Sequence, residues 1–141
     1  MLKAEWNNSP LSSGYQQKIL RQVSLSLKKS GQVSVAFVSP IVIRRLNRIY
    51  RGKDMATDVL SFPFTDNEAV GEVIICLAQA KKQAKEFKHS LEEEVTILLT
   101  HGLIHLFGYD HIKKIDAEKM FVLQKKILKK LNIDWQIPEY G

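Results

Sequence analysis

The sequence predicts an α+β fold, a small mixed sheet of four strands with about five helices, and three observations support it. Four short segments read as strands, most clearly Val33–Val38, which alternates and is rich in β-branched residues. Five longer ones carry apolar residues at helical spacing or capping signals. One of the four strand segments contains Pro63, which cannot donate to a ladder and so belongs at a sheet edge. A length of 141 residues suits one domain, and no repeat or Pro/Gly/Ser linker divides it, so 1–141 reads as a single unit.

Residues 2–7 form a short first strand. Ser12 and Ser13 then supply an N-cap for a helix over about 14–29, where Ile19, Leu20, Val23 and Leu27 make an apolar stripe. Gly31 is expected to stop it. Val33–Val38 alternates and is β-branched, hence a strand. Ser39-Pro40 resembles an N-cap with Pro at the first helical position, opening a helix over about 40–49. Arg51–Asp58 has no periodicity and reads as a loop. Val59–Phe64 is the Pro-interrupted strand, and Gly71–Cys76 is a fourth, buried one. Ala78–Phe87 is a helix, and Ser90-x-x-Glu93 is a capping box for the next. That helix, Leu91 to about Phe107, is apolar almost all round from Val95 onward and is expected at the centre of the fold. Gly108 ends it, and a last amphipathic helix runs from about Lys113 to Leu131.

Composition narrows the function classes. Apolar residues at 45% and charged residues at 26% exclude collagenous and disordered readings. The net charge of +6 favours an anionic partner. A single cysteine, Cys76, allows no intramolecular disulfide and fits a reducing compartment. The first ten residues lack the apolar region of a signal peptide, and no run is long enough to span a membrane, so a cytoplasmic protein is expected.

The sharpest motif is His101-Gly-Leu-Ile-His105-Leu-Phe-Gly-Tyr-Asp-His111. Residues four apart on a helix differ by about 40° around its axis, so His101 and His105 project from one face. Gly108 can take a positive φ and turn the chain so that His111 joins them. Three imidazoles with one position left for water is the arrangement of a catalytic zinc site. The spacing equals that of the metzincin peptidases, except that Gly102 stands where their Glu base would be, which makes ordinary proteolysis the less favoured chemistry. The fourth histidine, His89, reads as an ordinary surface residue.

Positive charge is the second feature. Residues 44–54 carry a local surplus of four and residues 113–130 a surplus of five, mostly as solvated helix faces. Arg51 is set apart by its place in an expected irregular loop, where a guanidinium can pair bidentately with phosphate or simply cover apolar surface. Asp110 can orient a neighbouring histidine, cap the helix end or face solvent. Asp58 and Ser61 lie at and within the edge strand, with no sequence signal to aim them, although that strand is a candidate wall for a groove. Cys76 reads as a small core residue.

Three segments, Leu46–Phe64, Gly71–Cys76 and His101–His111, together make the chain resemble the YbeY family of rRNA-maturation endoribonucleases. The resemblance implies a zincin-like α+β fold. It also implies a single-strand-specific endoribonuclease acting on the 3′ end of small-subunit rRNA and in ribosome quality control. His101, His105 and His111 match the family's zinc ligands, and Arg51 matches its functionally important arginine. One zinc ion with three His ligands and a water, single-stranded RNA and the ribosome are the expected cofactor and partners, and neither DNA nor a membrane is. Ala56 stands where a proline is usual and Glu72 where an Asp is common. Two rival readings are a non-enzymatic RNA-binding module whose zinc is closed by a fourth protein ligand (Asp110, Cys76 or His89), and a peptidase with a relocated base.

Overall fold

In the computed structural model, described over residues 1–64, 69–108 and 114–136, β-branched alternation and helical periodicity have sorted into the expected elements. They run β1 (Leu2–Asn7), α1 (Ser13–Leu27), β2 (Gly31–Val38), α2 (Pro40–Arg51), β3 (Val59–Pro63), β4 (Gly71–Cys76), α3 (Leu77–Glu86), α4 (Leu91–Leu106) and α5 (Lys114–Lys130). The sheet order is β1-β2-β4-β3. β1 and β2 pair parallel, as do β2 and β4, whereas β3 runs antiparallel to β4. The sheet is therefore mixed and the fold α+β. β3 lies at the edge, where Pro63 can end a ladder without leaving a partner carbonyl unpaired in mid-sheet.

The near-continuous apolar run of β4 is explained by burial on both faces. Val73 and Ile75 join the main core with α1, α4 and α5. Ile74 and Cys76 point the other way, into a smaller cluster with Ile43 of α2 and Leu60 of β3. α4 is the central helix: Ser90 and Glu93 form the full capping box, and the residues from Glu94 to Leu106 are buried except His101 and His105. Among the described residues, no helix is long and apolar enough to cross a membrane.

Two boundaries differ from expectation. α1 stops at Leu27 because Lys28 adopts the left-handed conformation at its C-cap, and Gly31 instead begins β2. More consequentially, α2 continues through Arg51, since Gly52 (φ +69°) is the residue that takes the left-handed turn and ends the helix. Arg51 thus occupies the last helical turn rather than an irregular loop.

Candidate metal centre and its surroundings

The position of α4 is set by an absent side chain. A Cβ on Gly102 would lie 2.6 Å from Val73 Cγ1 and 3.1 Å from Ser61 Oγ, so only glycine lets the helix lie this close to β3 and β4. The Ser61 hydroxyl donates to the Gly102 carbonyl at 3.0 Å. Ser61 is therefore turned into the fold, under α4, and its hydroxyl does not line an open groove. The same contact explains why no glutamate occupies position 102: a carboxylate there would have to displace the sheet.

On the other side of Gly102, His101 and His105 are each partly exposed, with ring centres 4.7 Å apart at 68°. Two imidazoles with nitrogens about 2.0–2.1 Å from one zinc ion hold their ring centres roughly 5 Å apart, so the pair fits that ion. Gln124 of α5, only 1% exposed, accepts at Oε1 from His101 Nδ1 over 3.0 Å and donates from Nε2 to the Ile97 carbonyl over 3.2 Å. Phe121 stacks on the His101 ring at 6.0 Å and 27°. Nothing in the sequence pointed to Gln124. The apolar period of α5 reads as core, and a lone polar residue within it shows its purpose only once its partners are known. The third expected ligand, His111, and its neighbour Asp110 lie outside the described residues. Among the described residues, no group of three or more His, Cys, Asp or Glu is placed to hold a metal.

A cavity of about 700 Å³ opens beside His101, with Asp58, His89, Glu94, Phe121 and Trp135 in its wall. His89 is a correction. It is not an ordinary surface residue: its side chain is 18% exposed and its Nε2 lies 2.6 Å from Oε1 of Glu94, a carboxylate that is itself buried. Gln83 donates to the other Glu94 oxygen at 2.8 Å and reaches Asp58 Oδ2 at 3.4 Å. Asp58 also accepts the Val59 backbone N–H at 2.8 Å. A buried glutamate needs such partners, but two hydrogen-bonding residues brought in from other elements leave no signal in local sequence. Cys76 is fully buried in the α2-side cluster, across the sheet from α4, and so faces away from the histidines.

Arg51 is exposed at the end of α2, a helix that packs on the opposite face of the sheet from α4. β3 connects the two regions. Its Phe62 packs edge-on against Tyr50, next to Arg51, with ring centres 5.3 Å apart, while adjacent Ser61 bonds to Gly102 between the histidines. Of the nearby basic residues, Arg44 is engaged by Asp54 in a two-pronged pair at 2.9 and 3.2 Å. That hydrogen bond holds the Asp54 carboxyl below its ordinary value and raises Arg44 further.

Comparison with known proteins agrees with this architecture. The family model described as endoribonuclease YbeY matches residues 4–132. A protein named Endoribonuclease YbeY from Phytoplasma mali is 38% identical over 132 residues, covering 93% of this chain and 89% of its own length. One of that name from Ureaplasma urealyticum is 46% identical over 118 residues, covering 81% and 76%. The solution structure of TM1509 from Thermotoga maritima superposes with a TM-score of 0.62 at 28% identity, covering 92% of each chain.

Proposed function

The chain belongs to the endoribonuclease YbeY family, and from that premise we propose that it is a zinc-dependent endoribonuclease that cleaves single-stranded RNA. The substrate we assign is small-subunit rRNA on the ribosome, in 3′-end maturation and quality control, in the cytoplasm, by one domain spanning 1–141. The observation that carries the chemistry is the His101–His105 pair, one helical turn apart with ring centres 4.7 Å apart. His111 is assigned as the third ligand on the motif spacing. A zinc ion held by these residues supplies Lewis-acid chemistry toward a phosphodiester and its attacking water.

The remaining work falls to side chains. Arg51, exposed at the end of α2, is assigned to pair with a phosphate and to neutralise charge growing on the phosphorane-like transition state. An RNA strand crossing β3 would meet Arg51 on one side and the histidines on the other. An unpaired strand bends into such a path more readily than a duplex. Gly102 leaves no room for a peptidase's glutamate, which supports phosphodiester over peptide cleavage. Cys76 and His89, two candidate closing ligands of a structural zinc, are committed elsewhere, which supports an open site.

The test uses His105→Ala and Arg51→Ala in a nuclease-free preparation, with unstructured RNA as substrate. Both variants should fold. His105→Ala should abolish cleavage, and Arg51→Ala should lower it about 10²–10³-fold, the usual scale for losing one transition-state contact. Wild-type cleavage by either folded variant overturns the assignment.

A further inference from the structure

The one buried amide that α5 sends into the α4 interface has a determined orientation, and the orientation has a chemical consequence. A backbone carbonyl can only accept, so the Gln124 group facing Ile97 O must be its NH₂. Its oxygen therefore faces the His101 ring at 3.0 Å. An amide oxygen can only accept, so the ring atom opposite it, Nδ1, must carry a proton. In the neutral imidazole this places the lone pair on Nε2. We infer that Gln124 is a positioning residue that locks His101 in the Nδ1–H tautomer, with Nε2 as the metal-binding nitrogen.

Three features make Gln124 more than a helix-packing contact. Both ends of the amide are satisfied within the protein, which fixes its rotation as well as its place. It is 1% exposed among apolar neighbours on α5 that include Met120, Ile127 and Leu128, where an amide is costly unless its hydrogen bonds are needed. The Ile97 carbonyl belongs to the residue four before His101, so Gln124 is referenced to the same turn of α4 that presents the imidazole. The ring is then held on two sides, by the Gln124 oxygen at its edge and by Phe121 across its face. Outer hydrogen bonds of this kind raise ligand basicity and remove the entropy of ring rotation.

The inference rests on the zinc assignment proposed above, and its test separates the two. Imidazole ¹⁵N spectra of the metal-free 141-residue chain should show His101 Nδ1 as the protonated nitrogen. Zinc affinity, measured by competition with a chelator, should fall about 10–100-fold in Gln124→Leu, which removes the acceptor. Gln124→Glu keeps an oxygen against Nδ1–H but sets another against the Ile97 carbonyl. It should lower the thermal midpoint yet bind zinc within about threefold of wild type. A purely structural residue predicts affinity that follows the midpoint in both variants, and that result overturns the inference. So does a His101 proton on Nε2 in the metal-free wild type, a reading that stands even if a variant fails to fold. A wild-type chain with the Nδ1–H tautomer that takes up no zinc overturns the zinc assignment and, with it, the positioning role.

Discussion

Replacing Gly102 with Ala adds one methyl group, and the structure makes its cost calculable. The new Cβ would sit 2.6 Å from Val73 Cγ1, whereas carbons in contact prefer about 3.5–4.0 Å. Roughly 1 Å of movement must be found. Val73 is fully buried and β-branched, so it has little rotamer freedom to give. The alternative is for α4 to lift from β4, which also stretches the 3.0 Å Ser61 hydroxyl bond to the Gly102 carbonyl. Overpacking of this kind costs about 1–3 kcal/mol. Alanine's better helix propensity returns up to about 1 kcal/mol. Because Val73 has little room to yield, the upper part of the overpacking range applies, about 2–3 kcal/mol. A net loss of about 1–2 kcal/mol is expected, seen as a midpoint lowered by about 3–8 °C for a chain of this size. Urea and thermal unfolding followed by circular dichroism read it directly. Gly14→Ala is the matched control: it lies in α1 with nothing within 4 Å of the added Cβ, so it should gain about 0.5 kcal/mol. A Gly102→Ala protein as stable as wild type would refute the claim that position 102 is glycine because the helix touches the sheet there.

Three further outcomes follow from the same geometry. His89→Ala removes a 2.6 Å partner from buried Glu94 and leaves it Gln83 alone; a loss of about 2 kcal/mol in urea unfolding is expected, and Glu94→Gln in the same background should recover part of it. Asp54→Asn should lower stability slightly at neutral pH. The native hydrogen bond holds Asp54 below its ordinary value of 3.8, so its contribution is present above that pH and is lost as pH falls below it. The difference between the variant and wild type should therefore vanish in acid, and high salt should shrink it at neutral pH; a difference that grows in acid refutes the pairing. RNA binding should weaken linearly in log affinity against log salt, with a shallower slope in Arg51→Ala. An unchanged slope removes Arg51 from the phosphate contacts.

The elements were legible because their signals are local. Ser39-Pro40 opens α2 and Ser90-x-x-Glu93 opens α4 through hydrogen bonds that span three residues. Pro63 announced an edge strand because proline's missing donor is a property of the residue itself. Stops were less legible than starts. Lys28 ends α1 in a left-handed turn that its residue type does not advertise, and Gly52 let α2 run two residues further, to Arg51. In the candidate site, the closeness of His101 and His105 was readable from helical spacing alone. Their supports were not: Ser61 reaches α4 across 41 residues of sequence and Gln124 across 23. His89 was misjudged for the same reason, since a histidine just before a helix looks exposed until the buried carboxylate five residues on is seen to need it.

Those supports have a common logic. α4 presents its two histidines from a turn that is gripped from both sides, by β3 and β4 at the bare backbone of Gly102 and by α5 through one oriented amide. Neither grip touches a reacting group, yet together they set the height of the helix above the sheet and the direction of one imidazole. Edge strand β3 carries the first grip through Ser61, and its next residue, Phe62, packs against Tyr50 near the end of α2. Two consecutive residues of one strand thus touch both the turn of α4 that bears the histidines and the end of α2 that bears Arg51. A helix allowed to rise from the sheet at Gly102 would shift both imidazoles relative to β3. A Gly102→Ala protein that keeps its fold should accordingly lose RNA cleavage more than its stability deficit explains.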